Sequence, residues 1–308
     1  MSATRNGVGV ALAAVLAFAA LWGGSVYYLF AQGSEDWFTG VLVMAIFGLA
    51  LSGVAWLLTR GASAPPIEVK RPALESGAVL IYLALVYAGL FLGPGMSWAR
   101  GVFPEGQAQE LLVMGLKLLV HIVLPALLLV LLGARLAPLL QAGLTGRKVW
   151  RTLIVLGAII LGLLCVISPS LENIAQTEAA FATLAWVAPV SFIWIAIEAG
   201  LNEEFLFRGV LQTRLSALFK SAWAGVFATS LIFGVAHAPG LFLRGGPDVD
   251  GWSTDPLAVI AYTIAVLAPI SLLFGLIYAR TKSLLLVVLL HGLVDVLPNM
   301  NEFIRIWT

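Results

Sequence analysis

Apolar runs long enough to cross a bilayer recur along this chain of 308 residues, and they limit its fold more than any other feature. A membrane-spanning helix needs about 20 mostly apolar residues. Lipid offers no hydrogen-bonding partner to a bare backbone, so each run must satisfy its own backbone groups as a helix. Nine candidates lie near 7–31, 38–59, 77–93, 110–132, 152–167, 182–201, 222–237, 256–279 and 283–298. The third, fifth and ninth are short, so eight to nine spans are expected. The predicted fold is all-α, a polytopic transmembrane helical bundle. Composition agrees: 61% of residues are hydrophobic and 11% charged, and the mean hydropathy is +1.01. A soluble domain of this length would need more charge to cover its surface. The first run, Gly7 to Ala31, is longer than a signal-peptide core and is expected to be a retained span.

The charges alternate between successive loops. Arg5, then Arg60, Lys70 and Arg71, then Arg135, Arg147, Lys148 and Arg151, then Arg208, Arg214 and Lys220, then Arg280 and Lys282 fall in every second connection. The other connections carry Glu35 and Asp36, Glu105, Glu172 and Glu178, and Asp248, Asp250 and Asp255, with Arg100 and Arg244 as exceptions. By the positive-inside rule this places the N-terminus in the cytoplasm and, for nine spans, the C-terminus outside, as an integral protein of the plasma membrane. Gly61 to Ser76, with Pro65, Pro66 and Pro72, is expected to be a cytoplasmic loop. Ala238 to Pro256 is expected to be an extracytoplasmic loop serving as a lid or entrance. A net charge of +1 gives no basic patch for nucleic acid. The single cysteine, Cys165, excludes an internal disulfide and reads as a small buried hydrophobe.

Against this background Glu203 and Glu204 stand out. They end an apolar run from Leu184 to Ala199, and Arg208 follows. An ionised group at the centre of a membrane helix costs about 2.5–3.5 kcal/mol on insertion scales, and the default reading of such a group is functional. Two of the three histidines also lie in apolar spans, each with a partner four residues away: Phe233 before His237, and Asp295 after His291. Residues four apart share a helix face, so each pair projects together, and Glu204 can pair with Arg208. Glu203 is turned about 100° from Glu204 and faces a different neighbour. The expected division is a structural Glu204–Arg208 ion pair and a working Glu203. Such a set suits hydrolysis, with a carboxylate as general base towards water, an imidazole sharing the proton and further donors for the oxyanion. Ser168, Ser170 and Ser191 have no base nearby in sequence. Lys117 and His121 share a face of the fourth span as a polar contact or a pathway lining. Glu198 and Asn202 are expected to support the site.

The ordered set Glu203-Glu204-x-x-x-Arg208, Phe233-x-x-x-His237 and His291-x-x-x-Asp295 resembles the CPBP family of intramembrane glutamic endopeptidases, which includes type II CaaX prenyl proteases and proteins linked to bacteriocin processing or self-immunity. The resemblance covers residues 185–298. It implies N-terminal spans and cytoplasmic loops over 1–150 and a CPBP-like catalytic membrane domain over 151–308. It also implies that Glu203 and His237 activate water, that His291 and Asp295 sit at the oxyanion site, and that Glu204, Arg208 and Phe233 support them, with no metal or other cofactor. The partners implied are the lipid bilayer and a membrane-associated protein or peptide, prenylated or a precursor. The last motif position is usually Asn. An ionised Asp295 would repel an oxyanion, so it must be protonated, turned away, or engaged in positioning His291.

Two further readings stand beside this one. Glu203, His237, His291 and Asp295 are all chemically able to bind zinc, although no HExxH pairing is present. A non-enzymatic membrane scaffold or immunity protein would use the same cluster to bind a partner. A transporter is disfavoured by the lack of a broken-helix pair repeated in two halves. One difficulty is visible in advance: the glutamates fall at the cytoplasmic end of span six, His291 at mid-span, and His237 near the opposite end of its span.

Overall fold

The computed structural model describes residues 5–62, 64, 67–137, 139 and 143–308. Among these residues there is no strand, and nine helices are long and apolar enough to cross a membrane. They are α1 (Arg5–Ala31), α2 (Asp36–Leu58), α3 (Pro72–Val102), α4 (Gln107–Leu131), α5 (Arg147–Ile167), α6 (Phe181–Leu218), α7 (Ala222–Arg244), α8 (Pro256–Thr281) and α9 (Leu284–Trp307). All nine expected spans are present, and the three short ones are full-length. A short helix, Ser170–Ala175, lies between α5 and α6.

The differences from expectation have local causes. Pro72 starts α3 rather than sitting in a loop, because its fixed φ suits the first helical turn. Pro65 and Pro66 lie outside the described residues. Further along α3, Gly93 adopts a non-helical φ/ψ of −78°/−115° just before Pro94, which lacks an N–H, and the helix bends there. The loop expected from Ala238 begins only at Gly245. Cys165 is exposed on the flank of α5, not buried. A lipid-facing surface accepts a small apolar side chain as readily as a core does.

Successive helices run up and down, so the loops gather at two ends. At one end Arg280 Nε donates to Thr59 Oγ1 at 2.7 Å, Lys148 Nζ donates to the Gly61 carbonyl at 2.6 Å, and Ser283 Oγ donates to the Gly143 carbonyl at 2.9 Å. This is the Lys/Arg-rich end. At the other, Tyr28 Oη donates to Asp255 Oδ2 at 2.6 Å, and Arg305 Nη2 donates to Glu105 Oε1 at 2.6 Å. The Tyr28 hydrogen bond holds the Asp255 carboxyl below its usual range, and the Arg305 guanidinium does the same for Glu105.

Helix α6 is the axis of the packing. Every residue from Glu204 to Leu215 is buried, against α3, α7, α8 and α9. One apolar core joins residues from Phe47 in α2 to Leu290 in α9. Arg208 and Arg214, expected in a loop after span six, lie inside this helix. Arg214 Nε meets Glu75 Oε2 of α3 at 3.2 Å, with both side chains buried. Helix α6 approaches α9 through two glycines. A Cβ on Gly200 would lie 2.6 Å from the Val288 carbonyl oxygen, and one on Gly292 would lie 2.9 Å from Ala196 Cβ. Small residues at such crossings let membrane helices pack backbone to backbone. Gly200→Ala is therefore expected to lower stability in detergent by about 1–3 kcal/mol through overpacking. Gly53→Ala, where an added Cβ meets nothing within 4 Å, is expected to leave the unfolding midpoint near wild type. Equal midpoints for the two variants would contradict this account of the α6–α9 contact.

Candidate active site

The true helix ends remove the mismatch in depth. Glu203 stands fifteen residues before Leu218, the end of α6, and His237 stands fifteen residues after Ala222, the start of α7. The two helices are joined by a short turn and run antiparallel, so both side chains lie about 22 Å from it at 1.5 Å per residue. His291 is only seven residues beyond Leu284, the start of α9. Helix register closes that gap: α6 extends past the start of α9, and Gly200 packs against Val288 and Gly292, which brings His291 close to the level of the glutamates. From there Glu204 and His291, each leaning towards the N-terminus of its own helix, point at one another. Helical turns of the wider i to i+5 type, Ala196–Leu201 and Phe205–Gln212, flank the glutamates. Such turns occur frequently at functional sites.

Four expected site residues converge from three helices. Glu203 Oε1 is 3.5 Å from His237 Nε2, and Glu203 Oε2 is 3.8 Å from His291 Nε2. Each oxygen of one carboxylate thus faces a different imidazole. His291 Nε2 is also 3.1 Å from Asp295 Oδ2. The other nitrogen of His237, Nδ1, is 2.7 Å from the Phe233 carbonyl oxygen. A carbonyl only accepts, so Nδ1 carries the hydrogen, and in the neutral ring Nε2 presents its lone pair towards Glu203. Glu203 keeps 20% of its side-chain surface accessible, while Glu204 and Arg208 have 0%.

The buried pair is more than the ion pair expected of it. Arg208 Nε lies 3.0 Å from Glu204 Oε2, but the two are not aligned as a hydrogen bond, so the contact is one of charge. The guanidinium also lies over the Phe233 ring, 5.2 Å from its centroid, and 6.0 Å from that of Phe274. The remaining Glu204 oxygen, Oε1, is 2.8 Å from His291 Nδ1. Phe274 of α8 stacks on the His291 ring at 4.9 Å with an interplanar angle of 4°. His291 is therefore held at both nitrogens and on one face. The Phe233 ring packs on His237 at 4.4 Å, as its i, i+4 spacing implied.

The sequence pattern did not reveal the Glu204–His291 contact, because 87 residues separate the partners. Nor did it reveal Phe207, which packs on Phe233 at 4.9 Å and stacks on His237 at 6.3 Å. Of the lesser candidates, Lys117 forms an ion pair with Glu198, and Asn202 Nδ2 donates to the Glu198 carbonyl at 3.0 Å. His121 Nδ1 donates to the Lys117 carbonyl at 2.8 Å, and its ring meets Tyr87 edge-on at 5.0 Å. Among the described residues no group of three or more His, Cys, Asp or Glu side chains is disposed to hold a metal ion. The Ser168 and Ser170 hydroxyls bond each other, and Ser191 Oγ donates to the Ala188 carbonyl at 3.1 Å.

The chain was compared with known proteins. No curated protein and no solved structure matches it. Residues 184–297 match the family model described as type II CAAX prenyl endopeptidase Rce1-like, a stretch that contains all seven motif residues. Over residues 184–297 this integral membrane protein is thus similar to the type II CAAX prenyl endopeptidase Rce1-like family.

Proposed function

We propose that the protein is an intramembrane endopeptidase that hydrolyses peptide bonds of membrane-associated polypeptides with a glutamate-activated water. The observation that carries this reading is the placement of one partly accessible carboxylate, Glu203, between the Nε2 atoms of two histidines. At 3.5 Å the Glu203–His237 separation is too long for a strong direct hydrogen bond, and a shift of about 1 Å in either side chain admits a water held by both groups. That water gives one hydrogen to Glu203 and points the other at His237 Nε2. Its oxygen attacks the carbonyl carbon as Glu203 takes the proton, and the carbonyl oxygen becomes an oxyanion. His291, protonated on both nitrogens, donates Nδ1–H to Glu204 and shares its Nε2 hydrogen between Asp295 and that oxyanion. The C–N bond then breaks, and Glu203 returns its proton to the leaving amine. The residues in catalytic roles are Glu203, His237 and His291.

Asp295 belongs with the positioning groups in this scheme. Its Oδ2 faces His291 Nε2 and orients the ring, which accounts for Asp where the family pattern usually has Asn. Glu204, Arg208 and Phe233 form the buried support. Helices α3 and α4 wall α6, while α1 and α2 pack mainly on α8 and α5 on α9, consistent with motifs confined to the later part of the chain.

Four outcomes are expected. In proteoliposomes, Glu203→Gln and His237→Ala lower cleavage of a membrane-anchored peptide by about 10²-fold or more, the range for loss of a general base, while melting near the wild-type temperature. A cleanly folded Glu203→Gln protein with full activity would sink the reading. Glu204→Ala fails differently: it strands the buried Arg208 and lowers stability by about 3–5 kcal/mol, read as a shift in detergent unfolding. Asp295→Asn retains more activity than Asp295→Ala, because the amide can still orient His291. Cleavage is expected to survive chelator treatment, and stoichiometric zinc released together with activity would replace this mechanism by metal-assisted hydrolysis.

A further inference from the structure

The polar groups around Glu203 are distributed unequally along the bundle axis. Towards the Lys/Arg-rich end the way is closed by packed protein, with Glu204 to Leu215 buried without interruption. Polar side chains on that stretch are engaged internally. Arg214 meets Glu75, Gln212 Nε2 donates to the Gly275 carbonyl at 2.9 Å, and Thr213 Oγ1 donates to the Arg208 carbonyl at 3.0 Å.

Towards the other end the side chains stay partly accessible. Lys117 and Glu198 pair across α4 and α6 with 23% and 18% of their side-chain surface exposed, and Asp295 keeps 31%. Asn299 Nδ2 donates to the Asp295 carbonyl at 2.8 Å, and Arg244 caps the Leu92 carbonyl that the α3 bend releases. The helix directions give these positions one sense. Helices α4 and α6 start at the Lys/Arg-poor end, and there Lys117 precedes His121 and Glu198 precedes Glu203. Helices α7 and α9 finish at that end, and there Arg244 follows His237 and Asn299 follows Asp295. On all four helices the polar residue beside the site is displaced towards the same end. Ionisable groups at membrane depth face a partner or water rather than lipid. Partly accessible and leading away from the site, these polar side chains can line a water-filled vestibule.

We propose that Glu203 is reached only through this vestibule, from the end carrying the 103–106 and 245–255 loops. By the positive-inside rule that end is extracytoplasmic. The substrates are then membrane-anchored polypeptides whose cleavage sites lie on the extracytoplasmic side. A cytoplasmic tail would have to pass the buried Phe205–Leu215 stretch of α6 to reach the glutamate. The substrate class rests on the endopeptidase reading; the route does not.

Thiol accessibility tests the route without turnover, so its outcome is independent of the Glu203→Gln cleavage assay. In a Cys165→Ser background, which removes the chain's single cysteine, Lys117→Cys, Asn299→Cys and Glu203→Cys are exposed to a charged, membrane-impermeant methanethiosulfonate. All three are expected to label in intact cells, and Lys220→Cys only in inverted membrane vesicles. Asn299→Cys keeps the test standing if loss of Lys117 disturbs its pairing with Glu198. Labelling of the vestibule cysteines from the same side as Lys220 would overturn the route. Labelling of Lys220→Cys in intact cells and of the vestibule only in inverted vesicles would overturn the extracytoplasmic assignment.

Discussion

The site depends on a carboxylate that the proposed chemistry does not use. Glu204 is fully buried, with one oxygen beside the Arg208 guanidinium and the other on His291 Nδ1. In a dry bundle such a group is costly alone and rigid when matched. Its contacts therefore fix three things together: the rotation of α6, the orientation of the His291 ring and the position of Arg208 between Phe233 and Phe274. Glu203 is carried on the same helix one residue earlier. Its direction follows from that rotation, and so does its placement between the two histidines.

The close approach of α6 and α9 makes this junction possible. Gly200 and Gly292 remove the side chains that would hold the two backbones apart. Lipid supplies no hydrophobic drive between helices, so tight contact and buried polar contacts must hold the crossing. Phe274 adds a flat surface against His291, and Phe233 packs on His237 at a tilt of 46°, so both rings rest on aromatic neighbours. A site built on rigid, close-packed helices holds its groups without loops, which suits a reaction that needs accurate placement of water.

The same packing separates two environments along one helix. Beyond Glu204, α6 is enclosed, and its arginines end on Glu204 and Glu75. Before Glu203, Glu198 is paired with Lys117 but still partly accessible. The boundary between the two falls at the glutamate pair itself. That explains how adjacent residues of one type can differ: one stays within reach of solvent, and its neighbour is committed to the protein interior.

Much of this was legible from the chain alone. Nine apolar runs dictated the nine membrane-length helices among the described residues, since backbone in lipid must bond to itself, and charge alternation already sorted the loops into two sets. The i, i+4 pairs Glu204–Arg208, Phe233–His237 and His291–Asp295 were readable because helix geometry alone makes them neighbours. Other features were not. The apolar stretch before Glu203 suggested that the membrane span ended there, because hydropathy cannot distinguish a polar helix end from a polar segment buried by other helices; only packing reveals that α6 continues, enclosed, to Leu218. Glu75 looked like part of a polar loop until Arg214 met it from another helix. The Glu204–His291 contact links distant segments, and no local rule reports it. The sequence by itself determined which segments are helices, which faces carry polar groups and what chemistry those groups can perform. The tertiary structure decided which helices cross, which charges are buried and which glutamate stays accessible, because these depend on contacts between segments that only the folded bundle brings together.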